Sequence, residues 1–203
     1  MHYPKLRELR EAVISLVTPA HTTRFPKEEH KPFPNFRGKP VVNDSKCVGC
    51  EACANVCPSG AIQVTDDPER KIRIITRDFG KCIFCGQCEA NCITREGVKL
   101  SNTLYDLATF DRKNLVETQE KELLLCAYCH AVITTREHMR FLRNKLGPKS
   151  YSSLLSLNIL NHDLQLAPEE EVELPVLDDL KRKDMFNVIC PNCLHKVLVK
   201  NLT

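Results

Sequence analysis

"KCVGCEACANVC" (residues 46–57) is followed by "KCIFCGQCEANC" (residues 81–92). Cys47, Cys50, Cys53 and Cys57 return as Cys82, Cys85, Cys88 and Cys92 with a constant offset of 35 residues, so the two stretches are an internal duplication. Each half reads C-x2-C-x2-C-x3-C, the run that holds 4Fe–4S clusters in bacterial-type two-cluster ferredoxins, where the fourth cysteine of each run ligates the other cluster. Three closely spaced thiolates on one tight loop can grip three corners of a cubane, while the fourth, after a longer gap, points away. On that rule the first cluster takes Cys47, Cys50, Cys53 and Cys92, and the second takes Cys82, Cys85, Cys88 and Cys57. Exchanging the fourth ligand locks the halves together.

Around these runs, "AIQVT" and "IRIIT" are separated by the turn-like "DDPERK", which predicts a short hairpin over residues 61–76. Pro58 follows Cys57, where a proline ends the turn, but Ile93 stands in the matching place after Cys92. A disulfide framework or a pair of zinc sites would be the plainer readings. Zinc needs four tetrahedral ligands and has no use for two interleaved quartets.

The rest of the composition narrows the function class. Of 203 residues, 42% are hydrophobic and 6% aromatic, with no Trp, so the core should be modest. The net charge of +3 does not argue for nucleic acid. No signal peptide or spanning helix is written near the start, and twelve cysteines in a reducing cytoplasm read as metal ligands before disulfides. Seven glycines form neither a dinucleotide fingerprint nor a phosphate-binding loop. His2, His21, His30 and His162 lie among polar neighbours and read as surface residues. No catalytic residue is indicated, and the expected chemistry is one-electron transfer without bond making.

Before the clusters, "PKLRELREAVISLVT" places Leu6, Leu9, Val13, Leu16 and Val17 at helical spacing, which predicts an amphipathic helix for a partner, a membrane interface or the protein's own core. Pro26, Pro32, Pro34 and Pro40 then favour an extended docking arm. Lys46 and Lys81, each just before a first cysteine, are placed either to favour a reduced cluster or simply to be solvated.

After the clusters, "LLLCAYCH" supplies Cys126 and Cys129, and "VICPNCLH" supplies Cys190 and Cys193. Two C-x2-C pairs make a four-thiolate site if the chain brings them together, for structural zinc or rubredoxin-like iron. The 60 residues between the pairs predict a helix from Thr134 or Thr135 to Gly147, a second helical stretch over "SYSSLLSLNILNHD", and an acidic linker. His130 and His195 follow the pairs and suit an outer-shell role better than a ligand's.

"TTRFP" and "NFRGKP" before the first run, the duplicated cysteines, and "LYDLATFDRKNLV" after the second make residues 18–117 resemble the two-cluster ferredoxin subunit of the respiratory complex I and membrane-bound nickel-iron hydrogenase family. The cysteine-bearing extension makes the formate hydrogenlyase type the nearest resemblance. It implies an electron relay between an input subunit and the hydrogenase small and large subunits, or their complex I-like homologues. It also implies peripheral attachment, through the membrane arm of the complex, to the cytoplasmic face of the membrane, with no nucleic-acid partner. The expected architecture is α+β: a helix and arm over residues 1–45, a two-cluster ferredoxin domain over 46–101, and a helical extension with a metal site over 102–203.

Overall fold

β2 (Ile62–Asp67) and β3 (Ile72–Asp78) form the antiparallel hairpin that the sequence predicts, closed by a turn in which Lys71 takes a left-handed φ of 55°. The computed structural model describes residues 5–19, 22, 27–28, 32–103, 111–164, 166 and 185–200. His2, His21, His30, Pro26 and most of the acidic linker lie outside them.

The hairpin does not stand alone. β5 (Val116–Leu125) pairs antiparallel with the whole of β3 through its residues 116–122, and β6 (Val132–Thr135) adds to β5 across a register shift at Leu124 and Leu125. The sheet order is therefore β2-β3-β5-β6. This corrects the expectation of a helical extension, whose first part is sheet. "VETQEKELLL" is extended because β3 offers a free edge that it can complete, and exposed Glu120 and Glu122 flank the inward Lys121.

Burial along β3 alternates, and the inward set is Arg73, Ile75 and Arg77 rather than Ile72 and Ile74. Two arginines thus share the buried face with one isoleucine. Arg73 donates to Asp66 from Nε at 2.7 Å and to the Gly49 carbonyl at 2.8 Å, and it also pairs with Glu51. Its charge is fully matched.

A second, two-stranded sheet joins β1 (Pro40–Val42) to β4 (Val98–Leu100). The proline-rich arm therefore ends in a strand, with Pro40 at the first position, where a missing N–H is tolerated. α1 (Leu6–Val17) is a helix with no buried residue, and Leu6, Leu9, Val13, Leu16 and Val17 are all exposed.

The extension's helices fall where the sequence places them. α4 (Arg136–Leu146) starts at Thr135, whose hydroxyl accepts from the His138 amide, and ends at Gly147 with φ of 55°. α5 (Leu154–Asp163) is capped by Ser153, and α6 (Pro191–Lys200) opens with proline, whose lack of a donor suits a helix's first turn. Asp163 at the end of α5 accepts from Arg140 at 2.6 Å and Arg143 at 3.0 Å, which ties α5 to α4. Two apolar clusters lie beneath: Leu124, Met139 and Ile159 join β5, α4 and α5, while Ile189 and Val197 pack among Cys126, Cys190 and Cys193.

Candidate metal centres

The duplication is written in the backbone as well as in the cysteines. Gly49 and Glu51 in the first loop, and Phe84 and Gly86 in the second, all take left-handed φ, at 66°, 66°, 54° and 78°. The same two positions turn the chain in both loops, and glycine occupies one of them in each. Glu51 and Phe84 hold a conformation that costs a side-chain-bearing residue about 1–2 kcal/mol. Such strain clusters at binding loops, and alternation of left- and right-handed residues points successive amides into one concavity that attracts anions. The short helices α2 (Ala52–Asn55) and α3 (Gln87–Ala90) follow at the same offset.

Each loop backs a pocket. One is lined by Cys47, Cys50, Cys53 and Cys92, with Ile75. The other is lined by Cys57, Cys82, Cys85 and Cys88, with Phe79 and Arg77. Each pocket thus gathers three cysteines of one run and the fourth of the other. Gly97 shows why the second run can reach the first: a Cβ there would stand 3.2 Å from Cys92 Sγ and 3.3 Å from the Cys47 Cα.

The fourth-position cysteines are prepared alike. Burial pushes the Cys57 thiol up, but Ser59 Oγ and the amides of Ser59, Ala61 and Ile62 outweigh it and bring the thiol below its ordinary value. For Cys92, burial is likewise overcome by Thr94 Oγ1, at 3.3 Å, and by the amides of Thr94, Gly97 and Val98. Ile93 in place of a proline leaves this arrangement intact. Within the loops, burial dominates: it raises Cys50, Cys53 and Cys82, and pushes Cys88 up to about 11. Thiols held so need a cation to become thiolates. The donor set, the two concave loops and the amide-bonded fourth cysteines fit a thiolate-held cluster in each pocket.

Lys46 and Lys81 point elsewhere. Lys46 pairs with Glu96 at 3.4 Å and Lys81 with Asp78 at 3.3 Å, and all but Asp78 are more than half exposed, so solvated ion pairs describe them best.

The C-terminal cysteines converge. Cys126, Cys129, Cys190 and Cys193 place their sulfurs within 4.8 Å of one another. Four sulfurs around a tetrahedral ion at a metal–sulfur distance of about 2.3 Å would stand roughly 3.8 Å apart. Cys126 follows β5, Cys129 sits in the turn before β6, and Cys190 and Cys193 flank the start of α6. The Ala127 amide donates to the Val188 carbonyl at 2.8 Å, which brings the two segments side by side. Burial opposes a Cys126 thiolate, yet the amides of Cys129, Cys190 and Tyr128 lower it to about 7, whereas burial and the neighbouring thiols drive Cys193 upward. Four sulfurs so close cannot all ionise without a cation between them. His130 and His195 are exposed and outside this group.

Sequence reasoning did not find the buried basic residues. Arg73, Arg77 and Lys121 are all under a tenth exposed, and Lys121 reaches back to the Asp44 carbonyl at 2.8 Å, just before the first run. Arg73 and Arg77, four apart and so on one face of the strand "IRIITRD" that ends four residues before Cys82, were the available signal.

Comparison with known proteins adds to this geometry. The profile of the 4Fe-4S dicluster domain family matches residues 21–95. NAD(P)H-quinone oxidoreductase subunit I of Gloeobacter violaceus is 35% identical over 100 residues, covering 46% of this chain and 46% of the relative. NADH-quinone oxidoreductase subunit I 2 of Geobacter metallireducens is 32% identical over 110 residues, covering 50% of this chain and 82% of the relative. Formate hydrogenlyase subunit 6 of Escherichia coli is 34% identical over 120 residues, covering 59% and 66%.

Proposed function

Because the chain belongs to the iron–sulfur subunit family of the NADH-quinone oxidoreductase subunit I and formate hydrogenlyase type, we propose that it is an electron-transfer subunit that relays single electrons within a larger oxidoreductase complex. The observation that carries this reading is the pair of pockets, each gathering three cysteines of one run and the fourth of the other. We assign Cys47, Cys50, Cys53 and Cys92 to one 4Fe–4S cluster and Cys82, Cys85, Cys88 and Cys57 to the second. Bound there, such clusters supply one-electron redox chemistry, with potentials set by burial, charge and hydrogen bonds to sulfur.

The chain's own residues position and shield. The left-handed loop residues turn the thiols inward. The amides of Ser59, Ala61 and Ile62, and of Thr94, Gly97 and Val98, stabilise charge on Cys57 and Cys92. Ile75, Phe79 and Val98, each under a tenth exposed, keep water from the inner walls.

The Cys126, Cys129, Cys190 and Cys193 group is assigned to structural zinc, with rubredoxin-like iron as the competing occupant. Its place in the core, where it joins β5 to α6, supports a structural role.

The complex is proposed to be a membrane-bound nickel-iron hydrogenase of the formate hydrogenlyase type, with the chain between an input subunit and the hydrogenase subunits. Similarity to the Escherichia coli formate hydrogenlyase subunit over 120 residues supports it. The second reading is a complex I-like assembly, favoured by similarity to the quinone oxidoreductase subunits. No described helix is long and apolar enough to cross a membrane, so attachment is proposed through the complex, at its cytoplasmic face, with the exposed α1 available for docking. Purification of the tagged chain from its anaerobic host, followed by assay of hydrogen evolution from reduced viologen, separates the two. Activity with a nickel-bearing subunit alongside supports the first, and an intact assembly with neither favours the second.

A further inference from the structure

Arg77 is 2% exposed, and its position is unlike that of any other described cation. It stands on the inward face of β3 and lines the pocket of Cys57, Cys82, Cys85 and Cys88. Its Nη2 donates to the neutral Gln119 Oε1 at 3.2 Å, and its Nε is buried with no hydrogen-bond partner. Arg73, two positions back on the same face, has Asp66 and Glu51 as counter-charges.

The acids that line the same pockets as Arg77 are engaged by other cations, Asp78 by Lys81 at 3.3 Å among them. Glu117, opposite it on β5, pairs with Lys39 at 2.7 Å, Asp44 pairs with Lys121 at 3.0 Å, and Glu120 lies 3.8 Å from Arg70. A buried guanidinium without an anion is costly, because desolvation of an ion is several kcal/mol. A cluster held by four thiolates is an anion, and its sulfurs accept hydrogen bonds from amides and guanidinium groups.

We propose that Arg77 is the internal counter-charge of the cluster held by Cys57, Cys82, Cys85 and Cys88, donating its free Nε–H toward that cluster and holding its reduction potential up. This rests on the cluster assignment above. It makes Arg77 a positioning and tuning residue, and it gives the relay an asymmetry that the duplicated cysteines lack: position 42 in the first repeat, 35 residues earlier, is Val42.

The test is a redox titration of the anaerobically purified, cluster-loaded protein monitored by electron paramagnetic resonance, with Arg77→Met and Arg77→Lys beside the wild type. Arg77→Met should shift the second cluster downward so that, at a fixed ambient potential, its reduced-to-oxidised ratio falls about tenfold, equivalent to about 59 mV for one electron. Arg77→Lys, which keeps the charge, should recover most of that shift. Midpoints within error of the wild type in both variants overturn the inference. Should Arg77→Met fail to load clusters, wild-type protein grown on arginine with 15N-labelled guanidinium decides: nitrogen hyperfine coupling to a reduced cluster supports the contact, and its absence overturns it. A wild-type protein that binds no iron in these pockets would instead overturn the cluster assignment itself.

Discussion

Thr135, the last residue of β6, donates its hydroxyl to the carbonyl oxygen of Val48, one residue after Cys47, and accepts from the His138 amide at 3.3 Å. It is fully buried. One side chain thus starts α4 and supports the first cysteine loop, so the extension is part of the scaffold of the first pocket. Thr135→Val keeps the shape and removes both bonds. It should cost about 1–3 kcal/mol and speed iron loss from the first pocket relative to the second under chelator challenge. Equal loss rates in the variant and the wild type would contradict this coupling.

Gly49 makes the same contact from the other side. With φ of 66°, it faces Thr135 Cγ2, which a Cβ would approach to 2.9 Å, and Lys121 Cβ at 3.2 Å. Gly60 has a similar φ of 63° but no neighbour within 4 Å of such a Cβ. Gly60→Ala should cost only the backbone strain, about 1 kcal/mol. Gly49→Ala should cost clearly more, because it must also displace β5 and β6. Denaturant melts of the two variants compare them directly, and equal losses would show that the close packing at Gly49 carries no weight.

His138 supplies a pH dependence. Burial, and then the positive Arg73 on β3, hold its imidazole below the ordinary value, against an opposing pull from Glu51 in the first cysteine loop. The folded state therefore takes up this proton less readily than the unfolded chain. Stability is full above the unfolded value of about 6.5 and is lost as pH falls below it toward the folded value. Melting temperatures between about pH 7.5 and 5.5 should decline in the wild type and decline less in His138→Gln. Parallel curves would remove His138 from the account.

The four C-terminal cysteines should hold one metal ion per chain, and zinc is the expected element. Cys190→Ser should loosen α6 from β5 and lower the melting temperature sharply, since a structural four-thiolate site contributes folding free energy outright. The eight remaining cluster cysteines should still load iron. Elemental analysis of anaerobically purified protein without zinc sinks the zinc assignment, and iron in its place gives the site to the rubredoxin-like alternative.

The cysteines were legible because thiolate spacing is a covalent constraint that tertiary context cannot rewrite. The hairpin, the capped start of α4 and the helical stretch of α5 were readable for the same reason: local chemistry decides them. β5 was not, since "VETQEKELLL" is extended only because β3 leaves an edge for it, a long-range pairing that no local pattern announces. Arg73 and Arg77 escaped because hydrophobic reading turns Ile72 and Ile74 inward. An inward arginine is favourable only beside an anionic partner, which Asp66 on the facing strand supplies for Arg73. The convergence of Cys126 and Cys129 with Cys190 and Cys193, across 60 intervening residues, was readable as an expectation, and the geometry needed the fold.

The most direct test of the account is a stoichiometric reductive titration of the anaerobic, cluster-loaded protein, with iron analysis and electron paramagnetic resonance on the same sample. The account predicts about eight irons in the two pockets and uptake of two electrons per chain. The two signals should broaden each other through magnetic coupling between neighbouring centres. Uptake of a single electron, or iron near the content of one cluster, would contradict it.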